Sequence, residues 1–290
     1  MARRIELHGH RGARGLWPEN TLAGFRGAIA LGVDAIEMDV AVTADDVVVV
    51  SHDPALNPDI TRGPDGAFLP ATGPLIRHLR EKDLAKYDVG RLRPGTAYAA
   101  RYPAQQPQDG ARIPTLAEVL ALDPAAGLSI ELKTSPDYPA WTVPPEAMAD
   151  LVLDELERAG ALPRTRLISF DWRTLRAAHR RCPAMKLTFL TEADTVAAAP
   201  LWWGGSSPAD FGGSVPRAIA AEAGAAKAWG PFHGDLTEAS VAEAHALGLQ
   251  VMPWTVNEAA DMARLLGWGV DGLTTDRPDR ARAALDRAGL

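Results

Sequence analysis

Apolar and polar residues follow two different patterns along this chain, and segments with one pattern alternate with segments that have the other. Alternation of apolar and polar residues, or a short β-branched run, is typical of strands, whereas apolar residues three and four positions apart are typical of helices. These patterns predict strands over 5–10, 34–40, 47–50, 128–133, 166–170, 185–190, 249–254 and 270–275. They predict helices over 20–32, 143–160, 171–181, 236–248 and 257–269, and a last helix near 278–288.

This alternation of strands and helices favours parallel strands joined by right-handed crossovers. About eight strand–helix units fit a (β/α)8 barrel, whose usual length is roughly 250 residues, and the chain has 290. An open doubly wound sheet fits less well, because no Gly-x-Gly-x-x-Gly turn follows the first strand. We therefore predict an α/β fold, a TIM barrel, as one domain over residues 5–288.

One segment, residues 53–112, interrupts the alternation and is called the insertion below. It is rich in Pro, Gly, Asp and Arg and shows one short helical patch, IRHLREKDLAKYD. A loop of this length is usually either part of an active-site wall or disordered. Because loops that follow barrel strands lie on the catalytic face, we expect the insertion, which comes after the second strand region, to border the active site.

The composition narrows the classes of function. Hydrophobic residues make up 47% and charged residues 23% of the chain, the balance of an ordinary globular protein. The formal net charge of -7 removes the electrostatic footprint of a nucleic-acid binder, so an anionic substrate needs a local basic site. The lone Cys182 cannot form an internal disulfide.

The sequence shows neither a membrane span nor a leader peptide. No apolar run approaches the roughly 18 residues that a membrane helix needs. Glu6 and His8 stand where a signal peptide needs its apolar stretch. We expect a cytoplasmic location, although nothing in the sequence forbids export.

Acidic residues alternate with apolar ones on two of the predicted strands. Glu37 and Asp39 lie two positions apart, and so do Glu131 and Lys133, so each pair shares one face of its strand. The apolar residues between them suit the helix-packed side, which leaves the charged side chains pointing into the barrel. Buried charges are costly unless they are paired or bind a metal, and three carboxylates suit Mg²⁺ or Ca²⁺ rather than zinc. The alternative is a solvated edge strand whose acids face water.

Two histidines close predicted strands, because His10 ends the first strand and His52 follows the run 47–50. Barrel enzymes keep their reactive groups at the C-terminal ends of strands, and two imidazoles can serve as general acid and general base. A single histidine at such a place is more often structural. Two of them beside a proposed metal site favour catalysis.

Arg11 and Lys133 are the candidate phosphate contacts. A guanidinium recognises phosphate oxygens in pairs, and an ammonium offers a point charge. Either side chain could instead neutralise an inward carboxylate. Trp254, at the end of a predicted strand, is a candidate for stacking on a substrate in the barrel mouth.

Short motifs surround these residues and run in order along nearly the whole chain. They are His10-Arg11-Gly12, Pro18-Glu19-Asn20-Thr21, Glu37-Met38-Asp39, His52-Asp53, Ile113-Pro114-Thr115-Leu116, Glu131-Leu132-Lys133, Trp254-Thr255-Val256-Asn257, Asp271-Gly272 and Thr275-Asp276-Arg277-Pro278. Each piece means little alone, but the ordered set is specific. In this set the sequence resembles the glycerophosphodiester phosphodiesterases.

The resemblance implies a TIM-barrel hydrolase that uses one divalent cation, Mg²⁺ or Ca²⁺. Its small-molecule substrates are glycerophosphodiesters such as glycerophosphocholine and glycerophosphoethanolamine, and its products are sn-glycerol 3-phosphate and an alcohol. By the resemblance, the metal ligands are Glu37, Asp39 and Glu131, the acid/base pair is His10 and His52, and the phosphate contacts are Arg11 and Lys133. The insertion matches one that is characteristic of the family and is longer than its minimal form, which leaves the choice of substrate open.

Two alternative functions stay open at this stage. A phosphodiesterase that acts on lysophospholipids, as a lysophospholipase D does, would need an apolar slot near the insertion. A non-catalytic barrel would bind phosphodiesters without cleaving them. The nucleophile is also open, because either water or the neighbouring glycerol hydroxyl, through a cyclic phosphate, would serve.

Overall fold

A computed structural model describes residues 4–224 and 227–290 of the chain. Its strands are β1 (Glu6–Gly9), β2 (Ala35–Val42), β3 (Val48–Val50), β4 (Gly127–Leu132), β5 (Thr165–Ser169), β6 (Lys186–Thr191), β7 (Lys227–Pro231), β8 (Gln250–Val251) and β9 (Gly272–Thr275). Its helices are α1 (Leu22–Ala30), α2 (Glu81–Leu84), α3 (Ala97–Arg101), α4 (Leu116–Leu120), α5 (Pro145–Arg158), α6 (Trp172–Arg181), α7 (Ala193–Ala197), α8 (Ala199–Trp202), α9 (Val215–Ala221), α10 (Glu238–Ala246), α11 (Ala259–Trp268) and α12 (Pro278–Ala288).

Eight of the described strands form a parallel barrel in the order β8-β7-β6-β5-β4-β2-β1-β9. Backbone hydrogen bonds join the two ends of that order. The amide of Asp271 donates to the carbonyl of Val251 over 2.9 Å, and the amide of Val256 donates to the carbonyl of Thr274 over 2.9 Å. The predicted TIM barrel with an insertion after the second strand region is therefore confirmed.

The register between β2 and β4 decides which acidic residues meet. Asp39 on β2 lies opposite Glu131 on β4, and Glu37 lies opposite Ser129. Met38, between the two acids of β2, is buried in the apolar core outside the barrel strands. Because β2 pairs with β1 on one side and β4 on the other, the alternative of a solvated edge strand is wrong.

Strand β3 lies outside the barrel. It pairs antiparallel with β2, with Val50 opposite Val40, and a short turn in which Asp46 has a φ of 58° joins the two strands. Such a turn is too short for the crossover that a parallel strand needs. The run 47–50 is thus a strand, but the prediction that it belongs to the parallel set is wrong.

The barrel strand that the sequence pattern missed is β7. Its residues, KAWGP, include a glycine and a proline, both of which are depleted in strands. It is nevertheless paired on both sides, with β6 and with β8. The pattern also missed the helices α3, α4, α7, α8 and α9, each of which is only four to seven residues long.

The insertion packs on the hairpin of β2 and β3. An apolar cluster joins them, and its buried members are Ala41, Val49, Leu56, Ile76 and Leu84. The predicted helical patch forms a single 3-10 turn, Ile76–His78, followed by α2. The residues that flank the insertion lie side by side, since the amide of Val50 donates to the carbonyl of Pro114 over 2.8 Å.

Among the described residues, the helices are either too short or too polar to cross a membrane.

Candidate active site

The loop that follows β1 carries the first candidate residues and has an unusual backbone. The φ angle is positive at Arg11 (49°), Gly12 (71°) and Ala13 (61°). A Cβ atom at Gly12 would lie 2.8 Å from the ring of Phe25, so the turn requires glycine there. The turn brings the backbone amide of Arg11 within 2.7 Å of Glu37 Oε2, to which it donates.

A cluster of three carboxylates forms where β2 and β4 lie side by side. One oxygen from each of Glu37, Asp39 and Glu131 lies within 4.8 Å of the others. Their exposed fractions are 2%, 1% and 8%. Asp39 Oδ2 accepts a hydrogen bond of 2.9 Å from Asn20, but the buried Asp39 Oδ1 has no hydrogen-bond partner among the described residues.

The close approach of these carboxylates changes their pKa values in opposite directions. Burial and the charge of Asp39 raise the pKa of Glu37 well above its ordinary value. Burial also raises the pKa of Glu131, to about 7. Burial acts to raise the pKa of Asp39 as well, but the charges of Arg11, His52 and Lys133 together outweigh it and hold that pKa below its ordinary range. A buried, crowded and incompletely bonded set of oxygens suits a hard cation, so these residues fit a metal site.

His10 forms a dyad with an aspartate from the opposite end of the chain. Its Nδ1 lies 2.6 Å from Asp276 Oδ1, and its Nε2 lies 3.9 Å from Glu37 Oε2. Asp276 is fixed in turn by Arg14 Nε and by Asn257 Nδ2, each at 2.8 Å. Burial and the charge of Arg14 lower the pKa of His10 to about 4, so the ring is neutral near pH 7.

His52 forms a second dyad of the same kind. Its Nδ1 lies 2.7 Å from Oδ1 of Asp53, whose other oxygen accepts a 2.7 Å hydrogen bond from Asn57. Burial and the charge of Arg11 lower the pKa of His52. Both histidines therefore use one ring nitrogen on a carboxylate and leave Nε2 for other contacts.

Arg11 and Lys133 stand beside the carboxylate cluster. Arg11 Nη1 donates to Glu19 over 2.8 Å, and Arg11 Nε lies 3.2 Å from Asp39 Oδ2. Lys133 Nζ donates to Glu131 over 2.9 Å and lies 3.8 Å from Asp39 Oδ1. Each cation thus neutralises an inward carboxylate, which was the alternative to phosphate contact in the sequence analysis. Each also lines the cavity, so the two interpretations are compatible.

All the predicted site residues except Asp39 line one cavity of about 540 Å³ at the barrel mouth. The charged and histidine side chains form one part of its lining. Aromatic side chains form another part, and they are Tyr138, Trp141, Phe170, Trp202 and Trp254. Trp254 meets the ring of Phe170 edge-on with centroids 5.4 Å apart, and its Nε1 donates to the carbonyl of Gly230 over 2.9 Å.

The site geometry agrees with the relationship of this chain to known proteins. A model of the glycerophosphoryl diester phosphodiesterase family matches residues 10–280. The chain belongs to this family. A glycerophosphodiester phosphodiesterase of Bacillus subtilis (strain 168) is 31% identical over 280 residues, which are 95% of this chain and 85% of that protein.

Solved structures of family members have the same fold. A Silicibacter pomeroyi DSS-3 protein with the same family designation is 36% identical, with a TM-score of 0.90 over 100% of this chain and 96% of that one. An Oleispira antarctica phosphodiesterase in complex with the product sn-glycerol-3-phosphate is 22% identical, with a TM-score of 0.71 over 98% of this chain and 97% of that one. At that identity the second likeness shows the fold alone.

Membership of the glycerophosphoryl diester phosphodiesterase family confirms the predicted resemblance and makes the chain an enzyme that cleaves phosphoric diesters. It contradicts the alternative of a non-catalytic binding barrel. Sequence reasoning gave no role to Asp276, Asp53 or Glu19, which hold the histidines and Arg11. All three lie inside the motifs that carried the resemblance, and this was the signal that could have found them.

Proposed function

We propose that this enzyme hydrolyses glycerophosphodiesters, among them glycerophosphocholine and glycerophosphoethanolamine, to sn-glycerol 3-phosphate and an alcohol. One observation carries the proposal. Three buried carboxylates and two histidine–aspartate dyads line or adjoin a single cavity that also exposes Arg11 and Lys133. This combination suits a phosphoric diester better than a carboxylic ester, because it joins acid/base groups to cations that oppose the negative charge of a phosphate.

Glu37, Asp39 and Glu131 are the proposed ligands of one divalent cation, Mg²⁺ or Ca²⁺. The donor chemistry supports this assignment, since both ions prefer carboxylate oxygens. The unpartnered Oδ1 of Asp39 supports it further. When bound, the cation supplies positive charge to the phosphate oxygens.

Arg11 and Lys133 are the proposed protein contacts of the phosphate. Arg11 is held on two sides, by Glu19 and by Asp39, so its guanidinium is oriented before substrate arrives. Lys133 lies beside Glu131 and so adds its charge close to the cluster. Both groups oppose the negative charge that grows on the phosphate oxygens in the transition state.

His10 and His52 are the proposed general acid and base. One imidazole accepts the proton of the attacking hydroxyl, and the other donates a proton to the alkoxide that leaves phosphorus, so that the diester and water become a monoester and an alcohol. The carboxylates of Asp276 and Asp53 fix the tautomers and stabilise the imidazolium forms.

The aromatic part of the cavity is the proposed place of the alcohol group. Faces of Trp and Phe attract a quaternary ammonium such as that of choline, and Phe170, Trp202 and Trp254 all line the cavity. The insertion belongs to the same domain, residues 5–288, in this proposal and forms a wall of the site. Asp53, Ile76 and Arg77 support that position because they line the same cavity.

A second candidate function, cleavage of lysophospholipids, is favoured by one feature of the cavity. Tyr138 and Trp141 stack with ring centroids 4.2 Å apart, line the cavity and are 55% and 40% exposed. Such an apolar pair would suit an acyl chain. Comparison of glycerophosphocholine with lysophosphatidylcholine separates the two functions.

The direct test is an assay of purified protein on glycerophosphocholine, with release of choline and of sn-glycerol 3-phosphate measured separately. We expect turnover that a chelator abolishes and that Mg²⁺ or Ca²⁺ restores. Chelator-resistant turnover would disprove the metal assignment, and absence of turnover on every glycerophosphodiester would disprove the function. Phosphorus NMR during turnover distinguishes the nucleophiles, because only attack by the glycerol hydroxyl produces a cyclic phosphate.

A further inference from the structure

The loop between β1 and α1 holds a conformation that its own residues disfavour. Arg11 and Ala13 have left-handed φ angles, and so does Asn20, at 54°. Residues with a Cβ atom rarely adopt this backbone conformation, and the conformation persists only where the surrounding structure determines it. Since His10 and Arg11 stand on this loop, whatever holds it also holds them.

The insertion supplies contacts that hold this loop. Gln105 Nε2 donates to the carbonyl of Arg14 over 2.7 Å, and the amide of Gln106 donates to the carbonyl of Leu16 over 2.8 Å. Both glutamines follow α3 in the sequence. The segment 96–106 therefore lies directly against the loop.

The hydroxyl of Tyr98, on α3, also contacts two charged side chains of the loop. Tyr98 Oη donates to Glu19 Oε2 and accepts from Arg14 Nη1 over 3.1 Å. Glu19 and Arg14 are both buried, so these contacts are shielded from water. Burial and the charge of Glu19 raise the pKa of Tyr98, which keeps the phenol protonated and able to donate.

The network divides into two branches at Tyr98. On one side, Glu19 accepts from Arg11 over 2.8 Å. On the other side, Arg14 donates to Asp276 over 2.8 Å, and Asp276 binds His10 over 2.6 Å. The Tyr98 hydroxyl therefore lies between Glu19, which orients Arg11, and Arg14, which orients the dyad that contains His10.

Removal of this hydroxyl would leave the buried carboxylate of Glu19 and the buried guanidinium of Arg14 facing each other. Glu19 and Arg14 are close enough for the charge of each to shift the pKa of the other. Without the phenol between them we expect them to pair directly. Such a pair would draw Glu19 away from Arg11 and Arg14 away from Asp276.

We propose that Tyr98 is a positioning residue, through which the insertion sets the orientation of Arg11 and His10. Tyr98 does not belong to the lining of the cavity, so it acts through Glu19 and Arg14 and not on the substrate. This inference rests on the proposed roles of Arg11 and His10. It also gives the insertion a part in the reaction and not only in the choice of substrate.

The test is the substitution Tyr98→Phe, which removes the hydroxyl and keeps the ring. Loss of a hydrogen bond to a charged group corresponds to about a tenfold change, so we expect kcat/KM on glycerophosphocholine to fall by about tenfold. We also expect inhibition by sn-glycerol 3-phosphate to weaken, because Arg11 would no longer be held in place. A purely structural role would lower the thermal midpoint and leave the kcat/KM of the folded enzyme and this inhibition constant unchanged.

The chain offers a matched control in Tyr102. It lies one turn further along, it is buried, and its ring lies 4.9 Å from the guanidinium of Arg14. Its hydroxyl, however, has no hydrogen-bond partner among the described residues. We therefore expect Tyr102→Phe to keep kcat/KM within about twofold.

A double-mutant cycle with Glu19→Gln tests the route. If Tyr98 acts through Glu19, the combined variant loses less than the product of the two single effects. Fully multiplicative effects, or a Tyr98→Phe enzyme that equals the wild type, would overturn the inference. A wild-type enzyme with no turnover would instead refute the proposed function, so the two failures are distinguishable.

Discussion

Nδ1 of His10 and Oδ1 of Asp276 lie 2.6 Å apart and join the loop after the first barrel strand to the end of the last one. Two residues separated by 266 positions thus form one unit, and closure of the barrel is what creates it. Burial opposes the charge on Asp276, but His10 and Arg14 hold its pKa below the ordinary range. The carboxylate is therefore ionised throughout the pH range in which enzymes are assayed.

The first prediction concerns this dyad. The substitution Asp276→Asn keeps the size of the side chain and removes the charge that stabilises a protonated His10. We expect kcat to fall by about 100-fold or more, while the affinity for the metal stays within about threefold, because Asp276 is no proposed ligand. Steady-state kinetics and calorimetric titration with Ca²⁺ check the two parts. Asp279→Asn, which changes a partly buried pair with Arg277, should leave both quantities unaltered.

The second prediction separates the two histidines from the metal site. His10→Ala and His52→Ala should each lower kcat by about 10²–10⁴-fold and leave metal binding intact. His78→Ala, at an exposed position of the insertion, serves as the control. Full activity in either of the first two variants would remove that histidine from the acid/base pair.

The third prediction uses the raised pKa of Glu37. Without a cation the charge on this carboxyl is disfavoured, because burial and Asp39 both raise its pKa. Glutamine keeps the shape and removes that disfavoured charge, so metal-free Glu37→Gln should unfold at no lower a temperature than metal-free wild type. Added Mg²⁺ or Ca²⁺ should then stabilise only the wild type. A variant that is stabilised equally by the cation would show that Glu37 is not a ligand.

The fourth prediction concerns pH. Burial raises the pKa of Glu131 to about 7 in the metal-free protein. A cation needs the ionised form, so below about pH 7 binding must release a proton, and each lower pH unit should weaken binding by up to about tenfold. Above that pH the contribution of Glu131 should flatten, and the dependence that remains comes from Glu37, whose pKa is also raised. Calorimetry at pH 6 and pH 8, in buffers of different ionisation enthalpy, measures both the affinity and the protons released. Equal dissociation constants at the two pH values would contradict the prediction.

The fifth prediction concerns the aromatic part of the cavity. Trp254→Leu removes a ring that can attract a cationic group, so the preference for glycerophosphocholine over the uncharged glycerophosphoglycerol should fall by about fivefold to thirtyfold. The ratio of the two kcat/KM values is the informative measurement, because any loss of folded enzyme cancels in it. An unchanged ratio would place the choline group elsewhere.

The sequence predicted those features of this site that depend on the two-residue alternation along a strand. Alternation along β2 and β4 placed Glu37, Asp39 and Glu131 on the inner face, and the register then set Asp39 opposite Glu131. Strand β3 was assigned to the wrong set because four valines in a row look the same in a parallel and an antiparallel strand. Strand β7 was missed because pairing on both sides outweighs its weak local preference.

Partners from distant parts of the chain could not be read from the sequence. Asp276 reaches His10 across 266 positions, and Tyr98 reaches Glu19 across 79. Such contacts leave no periodic signal, since only the closed barrel and the folded insertion bring the residues together. The positions of the site residues that lie on strands were therefore more predictable than the partners that hold the histidines and Arg11.

The antiparallel strand β3 has a consequence for how such enzymes diversify. It brings Val50, shortly before the insertion, beside Pro114, shortly after it, where the two are hydrogen-bonded. A segment with adjacent ends can be exchanged for another of different length while the barrel beneath keeps its shape. His52 would survive an exchange of residues 53–112, because it precedes the first residue of the insertion. Tyr98 would be lost with the exchanged segment. The new segment must therefore supply its own hydrogen-bonding group between Glu19 and Arg14 to keep the enzyme active.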